Sequence, residues 1–261
     1  MTEGPELTST RNPRVRDAAA LARRRERLRR GQHLVEGPRA VAEALAAGVV
    51  DEVFIAPGRA EGLDLPPGMR VTEVSDHVLA AIADAATPQG IVAVARTPAC
   101  DLGGALIGEL VVVLDRVSDP GNVGTIVRTA DAAGAGGVVV LTGSADPFGP
   151  KAARSAVGST YHLPIAVDVD RAALLRACRA EGRTVLGLDA GGPRSVYDLD
   201  PGEAPVALVL GSEAHGLADA SELDGTLAIP IVGRAESLNV AAAAAVACFA
   251  VVRTLRTRPN L

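Results

Sequence analysis

Three segments in the second half of the chain combine glycines with a few polar side chains beside an apolar stretch. They cover 122–128, 210–217 and 229–240 and read NVGTIVR, LGSEAHGL and IPIVGRAESLNV. Glycine lets a backbone approach a ligand closely and adopt positive φ. Core packing does not require a Gly-Ser-Glu turn or a Ser-Leu-Asn run. We therefore predict a site that holds a small cofactor on backbone amides and does chemistry beside it.

The first of these segments supplies an amide and a guanidinium. Asn122 can cap the helix that opens after the Asp119-Pro120-Gly121 turn. Arg128 follows six residues later, where a positive charge in the first half of a helix opposes the macrodipole. That mild cost favours a functional role for Arg128, and its planar fork suits a phosphate.

The other two segments carry Glu213, His215, Ser237 and Asn239. Glu213 is a carboxylate near a helix cap, a hydrogen-bond acceptor for a ligand, or a partner for an arginine, and His215 is interpreted as an exposed loop histidine. Ser237 can cap the final helix, which would place Asn239 in its first turn, where free amides favour an electron-rich ligand group. The GxExxG spacing after a fifth strand differs from the GxGxxG dinucleotide fingerprint after a first strand.

The elements that position these groups form a strand–loop–helix pattern from Glu109 onward. Continuous apolar runs predict parallel strands buried on both faces, hence an α/β domain with a mostly parallel sheet. Ligands bind such sheets at the carboxyl ends of the strands, where all three polar segments fall. The predicted strands are 111–114, 137–141, 163–167, 184–188, 206–210 and 226–229. The predicted helices are 123–133, 151–157, 171–180 and 237–255.

The N-terminal part reads as a separate, small α/β unit. Its predicted helices are 13–28, 38–47 and 75–84, with Ser75 as a cap, and its strands are 33–35, 52–56, 69–74 and 90–96. Pro98, Gly103 and Gly104 mark a linker. We therefore predict an N-terminal domain over 1–98, a linker over 99–108 and a second domain over 109–261.

Composition limits the class of protein. The chain has 261 residues, 48% of them hydrophobic, and no apolar run of bilayer length. The first ten residues carry two glutamates and no apolar block, unlike a signal peptide. Three scattered cysteines, Cys100, Cys178 and Cys248, argue against a disulfide framework or a metal site. A cytoplasmic protein with reduced thiols is expected.

Charge is distributed unevenly. The net charge is −5, yet residues 11–30 contain nine arginines against two acids. Such a local basic element indicates contact with nucleic acid, and the alternative is a solvated helix face. Aromatic residues are only 2% and tryptophan is absent, which disfavours base stacking and favours contacts to phosphates and RNA shape. The arginines are Arg11, Arg14, Arg16, Arg23, Arg24, Arg25, Arg27, Arg29 and Arg30.

The three segments, in this order, resemble the SpoU/TrmH family of SPOUT RNA methyltransferases. The resemblance covers about 109–255 and rests on NxGxxxR, GxExxGL and SLNV before an Ala-rich C-terminal helix. The N-terminal HLVEGPRAVAEALAAG followed by VDEVFIAP is similar to a small RNA-binding domain of large-subunit ribosomal proteins. Within the family, the likeness is to bacterial 23S rRNA enzymes, including the thiostrepton-resistance type.

This resemblance implies methyl transfer from S-adenosylmethionine to a ribose 2′-hydroxyl, most readily of 23S rRNA. It also implies a C-terminal trefoil knot, a homodimer with each site near the subunit interface, and no metal. Carried over by position, the catalytic residues are Asn122, Arg128, Glu213, Ser237 and Asn239. The cofactor-binding residues are Leu210, Gly211, Gly216, Ile229, Ile231, Ser237, Leu238 and Val240. Contacts to RNA are predicted for Arg128 and for arginines of the basic N-terminal part: Arg11, Arg23, Arg24, Arg25 and Arg39.

Roles follow from the resemblance and from side-chain chemistry. Because arginine is very hard to deprotonate, Arg128 is expected to bind a phosphate and stabilise the developing alkoxide rather than act as a base. Asn122 and Ser237 would orient the ribose, Glu213 would order Arg128 or the substrate, and Asn239 would hold the loop. Three alternatives stay open: a tRNA 2′-O-methyltransferase, a non-catalytic RNA-binding protein of the same fold, and a nucleotide-dependent oxidoreductase.

Overall fold

A computed structural model describes residues 6–59, 63–200, 205–212, 214 and 216–256. It forms two compact units. The first contains the chain up to Pro98 together with Pro147–Tyr161, and the second contains Ala99–Asp146 and the chain from His162 onward.

The α-helices and β-strands of the described residues are as follows. In chain order, the helices are α1 Pro13–Ala20, α2 Arg24–Arg30, α3 Pro38–Ala46, α4 Asp76–Ile82, α5 Leu102–Ala105, α6 Pro120–Ala133, α7 Pro150–Ala156, α8 Arg171–Ala180 and α9 Val240–Arg256. The strands are β1 Gln32–Glu36, β2 Val50–Ile55, β3 Val71–Glu73, β4 Ile91–Arg96, β5 Ala99–Cys100, β6 Leu110–Leu114, β7 Gly137–Leu141, β8 Ile165–Val169, β9 Thr184–Leu188, β10 Arg194–Ser195, β11 Val206–Leu210 and β12 Gly225–Ala228.

The first unit is built on a four-stranded mixed sheet in the order β1-β4-β2-β3. Successive residues of β1 serve opposite faces, as strand geometry requires. Leu34 packs with α1 and α4, whereas Val35 packs with α3. The sheet is therefore covered on both faces. The predicted cap Ser75 accepts a hydrogen bond from Val78 N at the start of α4.

The single helix predicted over 13–28 is wrong, because the chain breaks between α1 and α2. Leu21 is buried in the core just after α1, and Arg23 is extended. The side chain of Arg27, only 7% exposed, donates to the carbonyls of Leu21 and Ala22 at 2.9 and 2.8 Å. A buried guanidinium thus satisfies the carbonyls that the break frees. Helical periodicity continues through such a break, so the sequence pattern does not reveal it.

The segment Pro147–Tyr161 lies between β7 and β8 in sequence but belongs to the first unit, unlike the predicted 109–261 domain. Arg154 donates to Glu36 at 3.0 Å and to Asp84 at 2.8 Å. Tyr161 Oη lies 2.9 Å from His33 Nε2. These polar contacts join residues far apart in sequence, so no local sequence motif predicts them.

The predicted linker 99–108 is structured. β5 pairs in parallel with β8, and Asp101 caps α5 by accepting from Gly104 N at 2.7 Å. The glycines that suggested a linker lie in this short capped helix, so the second unit begins directly after Pro98.

The second unit is an eight-stranded parallel sheet in the order β10-β12-β9-β11-β6-β7-β8-β5. Every residue of β6, β7 and β11 is buried, as continuous apolar runs predict. The predicted α/β fold class and its six strands are confirmed, with ends that shift by one or two residues. The two-residue strands β5 and β10 are too short to leave a pattern. Within the described residues, no helix combines the length and apolarity needed to cross a bilayer.

The break between α1 and α2 yields a stability prediction. Arg27→Met removes the donor to two carbonyls and should lower the free energy of unfolding by about 1–3 kcal/mol, measured by urea denaturation. Arg25→Met, at an exposed position of the same helix, is the control and should change it by less than about 0.5 kcal/mol. Equal effects of the two substitutions would contradict a role for Arg27 in satisfying the break.

Candidate active site

A cavity of about 510 Å³ opens at the carboxyl edge of the parallel sheet in the second unit. The strands β12, β9 and β11 are neighbours in the sheet, and each ends at this cavity. Its described lining comes from three strand ends and the start of α9. The lining residues are Leu188, Asp189, Ala190, Leu210, Gly211, Ser212, Gly216, Ile229, Ile231, Ser237, Leu238, Asn239, Val240 and Ala243.

The turn after β11 folds back onto the end of its own strand. Ser212 N donates to Gly216 O at 2.9 Å, and Gly216 N donates to Ser212 O at 2.8 Å. A Cβ on Gly211 would lie 2.4 Å from both C and O of Gly216, so only glycine fits there. Glu213 and His215 belong to this turn but lie outside the described residues.

Asn239 joins three parts of the site. Its Oδ1 accepts from Ala241 N at 2.9 Å and from Ala242 N at 3.3 Å, which makes Asn239 the cap of α9. Its Nδ2 donates to Asn122 Oδ1 at 3.2 Å. The side chain therefore links the start of α9, the cavity wall and α6.

The prediction that Ser237 caps the final helix is wrong. The helix begins three residues later than predicted, at Val240, and Asn239 takes the cap position. Ser237 lies instead in an exposed loop that lines the cavity. Amides of the first turn that were expected to be free for a ligand are occupied by the Asn239 side chain. Ser and Asn are both strong cap formers, so composition alone does not choose between them.

The cap predicted at Asn122 is also wrong. Asp119 caps α6, accepting from Asn122 N at 2.9 Å, with Pro120 at the first helical position. The amide side chain of Asn122 is thereby left for Asn239. Asn122 and Arg128 are not among the described residues that line the cavity.

Arg128 is exposed on α6, about 9 Å along the helix axis from Asn122. Among the described residues it has neither an ion pair nor a hydrogen-bond partner. α6 packs against α9, whose cap contacts Asn122. The backbone of α6 therefore sets where Arg128 lies relative to the amide pair of Asn122 and Asn239.

All eight residues predicted to bind the cofactor line this one cavity. The part of the cavity wall that follows β9 was not predicted from the sequence; it is formed by Leu188, Asp189 and Ala190. The turn is visible in sequence as Asp-Ala-Gly-Gly-Pro, and Asp189 Oδ1 accepts from Gly191 N at 2.7 Å. What the sequence does not state is that β9 lies between β11 and β12, which brings its end to the same edge.

The cavity lining combines apolar side chains, glycine backbone and a few polar groups. Its volume lies within the range of small-molecule sites. Leucine and isoleucine side chains suit a flat apolar ring, and Asp189 offers the one acidic side chain of the described lining. Carboxylates accept hydrogen bonds from sugar hydroxyls. The donor set thus fits a nucleoside-containing ligand.

The described residues contain no group of three His, Cys, Asp or Glu side chains placed to hold a metal ion. The three cysteines are free, and two of them are buried. Burial raises the pKa of Cys178 to about 11 and that of Cys248 to about 12. Because the thiolate is the nucleophilic form, these two thiols are unreactive near neutral pH.

Several arginines of the basic segment bond to acidic residues of the first unit. Arg14 bonds Glu52, Arg29 bonds Glu26 at 2.6 Å, and Arg30 bonds Asp17 at 3.0 Å. Together with Arg27, these four contribute to the fold. The predicted RNA-binding residues of this unit are all exposed: Arg11, Arg23, Arg24, Arg25 and Arg39.

Two family models match the chain. One, described as the SpoU rRNA Methylase family, matches residues 109–249. The other, described as the MRM3-like substrate binding domain, matches residues 12–93.

Individual relatives match over nearly the whole chain. It is 38% identical over 250 residues to the Bacillus subtilis 23S rRNA (guanosine(2553)-2′-O)-methyltransferase RlmP, covering 94% of this chain and 98% of the relative. It is 34% identical over 270 residues to the Streptomyces viridochromogenes 23S rRNA (uridine(2479)-2′-O)-methyltransferase, covering 97% and 93%. The AdoMet-bound rRNA methyltransferase from Sinorhizobium meliloti matches with a TM-score of 0.84 at 34% identity, covering 95% and 97%.

The closed turn after β11 yields a prediction. Gly211→Ala forces the turn away from the strand end and should cost about 1–3 kcal/mol of unfolding free energy, measured by urea denaturation. Gly233→Ala, in the loop after β12, is the control because a Cβ there meets nothing within 4 Å. If Gly211→Ala is as stable as this control, the turn does not need the close approach described.

Proposed function

We propose that this chain, which belongs to the SpoU rRNA methylase family, transfers a methyl group from S-adenosylmethionine to a ribose 2′-hydroxyl of 23S ribosomal RNA. One observation carries the proposal. Eight residues from three separate stretches, which the family pattern assigns to the cofactor, line a single cavity at the carboxyl edge of the sheet. Such an edge is where α/β sheets bind their ligands.

The cavity has groups for each part of the cofactor's adenosine. Leu210, Ile229 and Leu238 provide an apolar surface for the adenine ring. The carboxylate of Asp189 would accept hydrogen bonds from the ribose hydroxyls. Backbone groups of the glycine turn would bind the polar edge of the adenine ring. When bound, S-adenosylmethionine supplies the methyl group from its sulfonium centre.

The chain's own residues would bind and polarise the receiving ribose. The 2′-hydroxyl must lose its proton as it attacks, and the guanidinium of Arg128 stays protonated throughout. Arg128 would therefore hold the neighbouring phosphate and stabilise the negative charge that develops on the 2′ oxygen. Accurate placement of the reacting groups would supply much of the remaining rate.

Asn122 and Ser237 would orient the ribose. The bond from Asn239 to Asn122 Oδ1 fixes the amide of Asn122, so Asn239 acts by positioning its neighbour. Glu213 lies outside the described residues, and its role in ordering Arg128 or the substrate stays a prediction.

Exposed apolar side chains of the second unit support a homodimer. Val232 is fully exposed, and Phe249 on α9 and Leu238 at the cavity are about half exposed. Large apolar side chains left in solvent are candidates for burial in an interface. Since Leu238 also lines the cavity, a second copy seated on this loop would help close the site. The C-terminal trefoil knot implied by the family pattern stays a prediction alongside the dimer.

The substrate class rests on the near full-length relatives that modify 23S rRNA and on the exposed arginines of the first unit. These two relatives act on a guanosine and a uridine, so the target nucleotide must be mapped. A ribosomal substrate would place the enzyme in the cytoplasm. A tRNA substrate is the alternative within the same chemistry.

Arg128 yields a direct test of the chemistry. Arg128→Ala should lower the rate of methyl transfer by at least about 10²-fold, as for a lost oxyanion donor, because a stabiliser of developing charge is gone. The Kd for S-adenosylmethionine, measured by calorimetry, should stay within about threefold. Arg128→Lys, which keeps a point charge without the fork, should be intermediate. A tenfold loss of cofactor binding would show that Arg128 holds the cofactor instead.

The exposed arginines yield a test of RNA binding. Replacing Arg23 and Arg25 with Ala should weaken binding to rRNA and reduce the slope of log affinity against log salt by up to about 2. The control, Arg176 and Arg179 replaced with Ala, removes the same charge from the exposed face of α8. An unchanged slope for the first pair, or equal changes for both pairs, would mean that α2 presents only a solvated face.

A further inference from the structure

One arginine of the second unit connects the loops around the cavity. Arg171, the first residue of α8, donates from Nη1 to the carboxylate of Asp115 and from Nη2 to the backbone carbonyl of Asp219. Its Nε donates to Glu222 at 2.8 Å. The side chains of Asp115 and Arg171 are 5% and 20% exposed. The guanidinium thus binds three acceptors from two separate loops.

Asp115 is the first residue after β6, on the path to Asn122. Its backbone N–H donates to the carbonyl of Leu210, a residue of the cavity wall, at 2.9 Å. The next residue, Arg116, has φ of 59°, an uncommon left-handed conformation for a side chain other than glycine. Such conformations persist where the surroundings fix them, and they concentrate at functional sites.

The Asp219 and Glu222 partners belong to the segment that continues directly from the glycine turn. This segment lies across β9, because a Cβ on Gly187 would be 2.4 Å from Leu217 and 2.8 Å from Leu223. Gly187 immediately precedes Leu188 of the cavity wall. Within the segment, Ser221 bonds the carboxylate of Asp219 and lowers the pKa of Asp219. Leu217, Leu223 and Arg171 thus fix the segment that follows the glycine turn.

We propose that Asp115 and Arg171 are positioning residues that fix the glycine turn of the cofactor cavity through the segment 217–223. The planar fork of arginine can satisfy three acceptors only in one arrangement of the two loops. Asp115 also pairs with Arg116 at 3.6 Å and Arg171 also pairs with Glu222 at 2.8 Å, so the Asp115–Arg171 bond is the buried member of a small charge network. Breaking a buried ion pair is destabilising, which makes alternative arrangements of the two loops costly. The inference rests on the proposed function, because it assigns the cavity to S-adenosylmethionine.

The first readout needs no cofactor. In Asp115→Asn and in Arg171→Gln, the amides of Ser212 and Gly216, which bond each other's carbonyls, should exchange hydrogen faster than in the wild type. Hydrogen exchange followed by mass spectrometry measures this. The control is the ion pair of Glu36 and Arg154 in the first unit, whose side chains are similarly shielded at 6% and 29% exposure. Glu36→Gln and Arg154→Gln should leave exchange in the turn unchanged.

The second readout is cofactor affinity. Asp115→Asn and Arg171→Gln should raise the Kd for S-adenosylmethionine about tenfold, equivalent to about 1.4 kcal/mol. At saturating cofactor, kcat should recover to within about threefold, because the effect enters through binding. The double variant should bind the cofactor no more weakly than the single variant with the larger effect, as for two residues acting as a pair. The control variants should keep Kd within about twofold even where they lower Tm.

The outcomes are distinct. A wild type that does not bind S-adenosylmethionine overturns the proposed function. The positioning role is overturned if the wild type binds S-adenosylmethionine and the Asp115→Asn and Arg171→Gln variants bind it equally well, with hydrogen exchange at the turn unchanged. Should the buried variants fail to fold, Glu222→Ala removes only the outer, half-exposed acceptor and should raise Kd about twofold to threefold. An unchanged Kd and unchanged exchange at the turn would count against the proposal.

Discussion

The parallel pairing of β6, β11, β9 and β12 is the constraint on which the candidate site depends. Parallel strands need a crossover after each strand, so all four carboxyl ends meet at one edge of the sheet. In register, Leu210 pairs with both Leu114 and Leu188. Each of these residues is the last of its strand. The turns that follow therefore start at the same level, and a ligand can contact several of them at once.

Around this edge, several polar side chains form hydrogen bonds with the backbone or with one another. Asn239 caps α9 and also donates to Asn122, so the start of α9 and the amide of Asn122 depend on one side chain. The glycine turn after β11 closes on itself through two backbone bonds. Arg171 satisfies acceptors from loops on either side of β11. These bonds involve only the chain's own groups, so they position the groups around the edge without a ligand, and such preorganisation favours group-transfer chemistry.

The sequence predicts the architecture well because the relevant signals are local. Unbroken apolar runs mark the buried strands, and glycines beside polar residues mark the turns at their ends. What escapes prediction is decided by contacts distant in sequence. The β9 end, with Asp189, joins the cavity only through sheet order, and the segment Pro147–Tyr161 joins the first unit through Arg154. The cap of α9 is Asn239 and not Ser237, and because both residue types are strong cap formers the sequence does not choose between them.

In the proposed function, the cavity holds the methyl donor and Arg128 stabilises the ribose hydroxyl of 23S rRNA that receives the methyl group. The most direct test incubates the full chain with methyl-labelled S-adenosylmethionine and with unmodified 23S rRNA or tRNA transcribed in vitro, and then maps the label. We expect label in 23S rRNA at one nucleotide whose 3′ phosphodiester resists alkaline hydrolysis, since that bond needs a free 2′-hydroxyl to be cleaved. Label on a base, label only in tRNA, or no transfer despite cofactor binding would overturn the proposed function.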